Sequence, residues 1–210
     1  MNRDFEFKQL LRGFRQGIIS EAAFEQQMAE LEHGSSNGGG FKADGKTYPS
    51  EKEAIIAFVD DLRANEYCAS LAFPKWVTTC KTDCIRSGLA MIAEREGYHA
   101  RVFEQRLKEL GAQGRAVESP RVRELHDYFG DANMTDVDKL LRVTRLVSDP
   151  KEAIRFISDF ADSIRTDLQT KEMLKLFAED ELSSGTWLVN SCNALNQQST
   201  SKSQSTSVSR

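Results

Sequence analysis

Proline and cysteine are scarce in this chain, four of each in 210 residues. So few helix breakers, set against long stretches of 3.6-residue hydrophobic periodicity, predict an almost entirely helical protein. Cys68, Cys80, Cys84 and Cys192 fall inside helical patterns without paired spacing, which excludes a disulfide framework and predicts free thiols. Cys80 and Cys84 are one turn apart, not the Cys-x-x-Cys of redox or zinc sites, and read as small packing residues. No run approaches the ~18 apolar residues of a membrane helix, and the start, Met1 to Glu6, lacks the apolar stretch of a signal peptide. The expectation is a cytoplasmic protein without a membrane partner. Lys+Arg 28 against Asp+Glu 32 gives a net charge of -4 with no basic stripe, so nucleic acid is not an expected partner. There is no nucleotide-binding loop. What is present, 40% hydrophobic and 29% charged residues, suffices for one sizeable core with appendages.

Residues 1–33 place Phe5, Leu10, Leu11 and Phe14 on one stretch and Phe24, Met28 and Leu31 on another, around Gly17-Ile18-Ile19-Ser20. This predicts a helical hairpin with Ser20 as N-cap of its second helix. The phrase from Gly17 to Phe24, followed by Leu31, resembles the short two-helix SHOCT module, which implies a role in assembly. The plain alternative is a helical hairpin of no particular role. Residues 34–49, with Gly34 and Gly38-Gly39-Gly40, are read as a flexible linker that leaves the hairpin tethered and undocked. Residues 196–210, mostly Ser, Thr, Gln and Lys, are read as a disordered tail. Hairpin and tail are candidate docking points for a protein partner, and the chain is a candidate homo-oligomer.

Residues 50–195 carry four strong helical patterns. Helix 1 is expected from Ser50, an N-cap, to near Cys80, and helix 2 from about Asp83 to Leu110, stopped by Gly111. Each would be about 40 Å long at 1.5 Å per residue, which suits a bundle. A long crossover then holds short helices at Pro120–Phe129 and Thr135–Val147. Helix 3 starts at Asp149-Pro150 and helix 4 runs from about Leu168 to Leu195. Pro74 is expected to bend helix 1.

The inward stripes of helices 1, 2 and 4 are each interrupted near the middle. In helix 1 the sequence Ile55, Phe58, Val59, Leu62, Glu66, Ala69, Phe73, Trp76, Val77, Cys80 has Glu66 at its middle. In helix 2 Glu96 and His99 take the central places among Ile85, Leu89, Ile92, Phe103, Leu107 and Leu110. Residues three apart stack on one helix face, so both can point at one ion. A buried unpaired carboxylate costs several kcal/mol, so Glu66 and Glu96 need a cation, a proton or a hydrogen-bond partner. Helix 4 repeats the pattern with Phe177, Glu181, Ser184 and Leu188 aligned to Ile92, Glu96, His99 and Phe103.

Glu66, Glu96-Gly97-Tyr98-His99 and Glu181 resemble the ligand pattern of the ferritin-like di-iron carboxylate superfamily, ferritins and rubrerythrins included. That family has Glu on helix 1, Glu-x-x-His on helix 2, Glu on helix 3 and Glu-x-x-His on helix 4. The resemblance implies an all-α, ferritin-like four-helix bundle with a long crossover between helices 2 and 3. It also implies metal ligands at Glu66, Glu96, His99 and Glu181, and Fe (one or two ions) or Mn as cofactor. The chemistry implied is oxidation with dioxygen or peroxide. Two positions depart from the pattern. Ser184 stands where the second His would be, and helix 3 buries only Ala153, Ile154, Phe156, Ile157, Phe160, Ala161 and Ile164, with Asp159 and Asp162 opposite. Glu152 matches the hairpin spacing but lies off the apolar face and reads as a first-turn capping residue. His33 and His126 read as solvated; Arg95 and Tyr98 flank the motif, where spacing allows them equally to hydrogen-bond a ligand or to face helix neighbours or solvent. The alternatives are a metal-free hydrogen-bonded network of the buried Glu and His, and a non-enzymatic scaffold or interaction protein with a decayed site.

Overall fold

The computed structural model describes residues 3–33, 40–43, 45–117 and 120–207. The described residues are mostly helical. At the N-terminus α1 (Arg3–Arg15) and α2 (Glu21–His33) form a hairpin in which Phe14 stacks on Phe24 at 4.7 Å between ring centroids. Gly17 turns the chain at φ 69°, and Ser20 Oγ accepts from the Ala23 amide at 3.3 Å, capping α2. The hairpin does pack on the rest of the chain, contrary to the expectation of a merely tethered module. Leu10 is buried, and Gly13 is so close to the helix that begins at Leu168 that a Cβ there would lie 3.3 Å from Leu168 Cδ1. A side chain reduced to hydrogen lets the two helices meet.

The region read as linker is also partly structured. Strands β1 (Phe41–Ala43) and β2 (Lys46–Tyr48) pair antiparallel with Phe41 opposite Tyr48, and Gly45 adopts φ 67° at the turn. Both aromatic side chains lie against the core beside Ala54 and Phe58. The remainder of the linker, residues 34–39 and 44, lies outside the described residues.

Three long helices build the body: α3 (Glu51–Thr79), α4 (Asp83–Glu109) and α9 (Leu168–Ser207). Ser50 caps α3 through the Glu53 amide at 3.3 Å, and α3 stays helical through Pro74. The crossover holds α5 (Pro120–Gly130), packed on α3, and α6 (Asp136–Leu146), packed on α9 and capped by Thr135. In place of one long third helix, the chain forms α7 (Pro150–Ala153) and α8 (Arg155–Ser163), interrupted at Ile154. Phe156, expected inside, is exposed, because that interruption turns it away from the face of Ile157, Phe160 and Ala161. At the other end, α9 continues to Ser207 through most of the stretch read as a tail, since each residue added to an existing helix gains a backbone bond without a new nucleation cost. No helix among the described residues is long and apolar enough to cross a membrane.

Buried polar residues pin the ends. Asp136 accepts from Trp76 Nε1 at 2.9 Å and from the Lys81 and Thr82 amides at 2.9 and 2.8 Å, fixing the α3–α4 turn to α6. At the opposite end Glu51 accepts from the amides of Arg165, Thr166 and Asp167, while Arg106 makes two bonds to Asp167 of 2.8 and 2.7 Å. These bonds hold the α8–α9 turn against α3 and α4. Between the ends lie two apolar cores. The first joins Ile55–Leu62 of α3, Phe103–Leu110 of α4, α8, and Leu174–Ala178 of α9. The second joins Ala72–Cys80, Ile85–Ile92, Phe129, Leu140 and Leu188–Leu195. Residues 66, 96, 99, 181 and 184 fall in the gap, so the molecule carries one polar layer between two apolar halves.

Candidate metal centre

That layer is built from three helices. Glu66 comes from α3, Glu96 and His99 from α4, and Asp180, Glu181 and Ser184 from α9. The register follows from the stripes: the seven inward positions of α4 and Leu110 just beyond it are all buried, including Glu96 at 6% and His99 at 4% exposure. Glu66 is equally buried, and Glu181 is partly so.

The imidazole of His99 is the hub. Its Nε2 lies 3.1 Å from Asp180 Oδ2, and its Nδ1 lies 3.3 Å from Glu66 Oε2 and 3.7 Å from Glu181 Oε1. Phe177 meets the ring edge-on at 4.8 Å and fixes its plane. An ionised carboxylate only accepts, so Asp180 selects the tautomer with the proton on Nε2. In that tautomer the Nδ1 lone pair faces two further carboxylates, an arrangement that requires a proton or a metal ion between them. Among the described residues, one ligand atom from each of Glu66, His99 and Glu181 can be chosen such that all lie within 4.8 Å of one another. Glu181 Oε1 is buried with no hydrogen-bond partner. Glu96 hydrogen-bonds Glu66 and so adds a fourth donor group beside this set.

Electrostatics carry the same demand. Burial, and then the charge of Glu181, push the Glu66 carboxyl from 4.5 up to about 8, with the bond to Glu96 opposing. Burial and the charge of Glu96 push Glu181 to about 8, and burial with the charge of Glu66 raises Glu96 well above the usual carboxylate range. Crowding three acids in one largely buried layer favours their protonated forms unless a cation takes the place of the protons.

All four residues expected as ligands therefore lie in one layer. Ser184 is buried there too, its Oγ accepting from Arg95 Nη1 at 3.1 Å. Glu152 is exposed and ion-paired with Arg155, away from the layer. Gly185, one turn beyond Glu181, faces Val147 and Pro150. His126 is half-buried, with its ring beside Asp127, and Cys84 is exposed and does not pack inside as expected, because it sits in the first turn of α4 on the outer face. Asp180 was the residue that the apolar stripe could not reveal, since it lies one position off the buried face; its spacing of one before Glu181 gave the only signal.

No family model, no curated protein and no solved structure matches this chain. The case for function rests on the geometry.

Proposed function

We propose that this chain is a ferritin-like metal-binding protein whose helical bundle holds an iron or manganese centre on Glu66, Glu96, His99 and Glu181. The observation that carries the reading is the convergence of Glu66, His99 and Glu181, with an oxygen of Glu181 buried and unpartnered. Carboxylates with one imidazole suit Fe and Mn better than the sulfur-rich sets of structural zinc. A metal ligand histidine ordinarily gives its other N–H to a carboxylate, which is the part Asp180 takes toward His99. Phe177 and the two apolar cores flank the layer, and Glu96 steadies Glu66 by a hydrogen bond. A bound iron or manganese ion would supply oxidation chemistry with dioxygen or peroxide. The free thiols suit a reducing, cytoplasmic setting.

A second reading is a ferritin-like scaffold with a decayed site, displaying the N-terminal hairpin to a protein partner. Ser184 and the lack of a carboxylate on the interrupted third helical segment, α7 and α8, favour it. Elemental analysis of untagged protein after iron-replete expression separates the two. The metal reading predicts about one transition metal per chain, lost in His99→Ala. Trace metal only, with thermal stability unchanged by added Fe or Mn, selects the scaffold.

A further inference from the structure

Arg95 sets a cation of the chain itself beside the turn that carries Glu181. Arg95, in the turn of α4 that carries Glu96, reaches across to α9: Nη1 donates to Ser184 Oγ at 3.1 Å and to the Asp180 carbonyl at 3.4 Å, and Nε lies 3.8 Å from Asp180 Oδ1. Asp180 and Ser184 bracket Glu181 on one helix, so the guanidinium lies over the turn that presents that carboxylate. Its charge also acts on both Glu96 and Glu181 in favour of their ionised forms.

Building on the metal reading proposed above, we infer that the Arg95 guanidinium holds the place beside Glu181 that a second metal ion would take, which makes this a one-ion centre. Three observations support it. Ser184 has the same spacing from Glu181 as His99 has from Glu96, yet its hydroxyl serves as an acceptor for Arg95 and not as a metal ligand. A guanidinium has only donors and keeps its charge at any physiological pH, so it cannot yield its place by losing a proton. On the remaining side, Val147 and Pro150 stand against Gly185 where another carboxylate would have to enter. Charge leads to the same count. Glu66, Glu96 and Glu181 beside a neutral imidazole are balanced by one divalent ion and one guanidinium. A second divalent ion beside the guanidinium would leave these three carboxylates with two positive charges in excess in a largely buried layer.

Mn(II) alone, added without oxidant to the metal-free full-length chain, is the probe, read by equilibrium stoichiometry and by electron paramagnetic resonance at saturation. The wild type is expected to bind one ion with the spectrum of an isolated Mn(II). Arg95→Gln, which removes the charge at similar length, is expected to admit a second ion with a spin-coupled spectrum and to bind the first roughly tenfold tighter or more, as loss of a nearby like charge requires. Arg95→Lys, which keeps the charge, is expected to stay at one. A wild type that binds two coupled ions overturns the inference and leaves the metal reading standing, whereas a wild type that binds none overturns the metal reading itself. A folded Arg95→Gln chain that still binds one ion with unchanged affinity overturns the inference as well. Should that variant not fold, the wild-type spectrum alone decides between one ion and two.

Discussion

Replacing Glu66 by Gln tests the electrostatics of the layer without opening a cavity, because the two side chains have nearly the same shape. In the metal-free protein Glu66 titrates near 8 against an ordinary value of 4.5, chiefly because it is buried. Between those values the folded chain binds a proton that the unfolded chain does not. Stability of the metal-free form is therefore full below about pH 4.5 and falls as pH rises toward 8. At about 1.4 kcal/mol per pH unit, the loss reaches about 3 kcal/mol at pH 7 for Glu66 taken alone, an upper bound because Glu181 and Glu96 share the same protons. Gln carries no such penalty and can still bond Glu96. After chelation, Glu66→Gln should match the wild type near pH 5 and melt roughly 5–10 °C higher at pH 7–8. Thermal melts by circular dichroism across pH 4.5–8.5, with and without Mn(II), read both limbs. Added metal should flatten the wild-type pH slope and leave the variant unaffected. A variant less stable than wild type at pH 8 would mean that Glu66 is ionised and paired in the metal-free state, and would refute the reasoning.

Asp180→Asn keeps a polar group beside His99 Nε2 but removes its charge, and should weaken Mn(II) binding about 10–100-fold with little change in melting temperature. Equal affinity would remove Asp180 from the account. Asp136→Ala strands the Trp76 indole and the Lys81 and Thr82 amides, and should cost about 3–5 kcal/mol in urea unfolding at pH 7. Burial raises that carboxyl, but these donors outweigh it and hold it below 3.8, so its contribution is lost as pH falls through the lowered value. Gly88→Ala would place a Cβ 2.0 Å from the Trp187 ring, forcing α4 and α9 apart at about 1–3 kcal/mol or more, visible as a lower urea midpoint.

The long helices were legible because periodicity and caps agreed: Ser50, Ser20 and Thr135 cap the helices that the hydrophobic stripes delimit. The depth of the polar layer was legible for the same reason, each stripe breaking where Glu66, Glu96 and Glu181 stand. The β-hairpin was hidden by the glycine-rich residues before it, although Asp44-Gly45 between alternating segments is a strong turn signal. The interruption at Ile154 could not be read from an amphipathic pattern that runs unbroken from Ala153 to Ile164. Docking of the N-terminal hairpin depends on Gly13 meeting Leu168, a contact between residues far apart in sequence. Asp180 and Arg95 were obscure for one reason: both lie at the edge of the apolar face, where spacing does not separate a solvated charge from one that reaches inward.

The central claim is that the polar layer exchanges protons for a metal ion. Calorimetric titration of the chelated full-length chain with Mn(II) at pH 7, repeated in buffers of different ionisation enthalpy, reads binding and proton release together. The account predicts one saturable site that releases about one proton or more per ion, because carboxyls held near 8 must ionise to bind. It also predicts no binding in His99→Ala. Saturable binding that persists in His99→Ala, or no binding by the wild type at millimolar Mn(II), would contradict it.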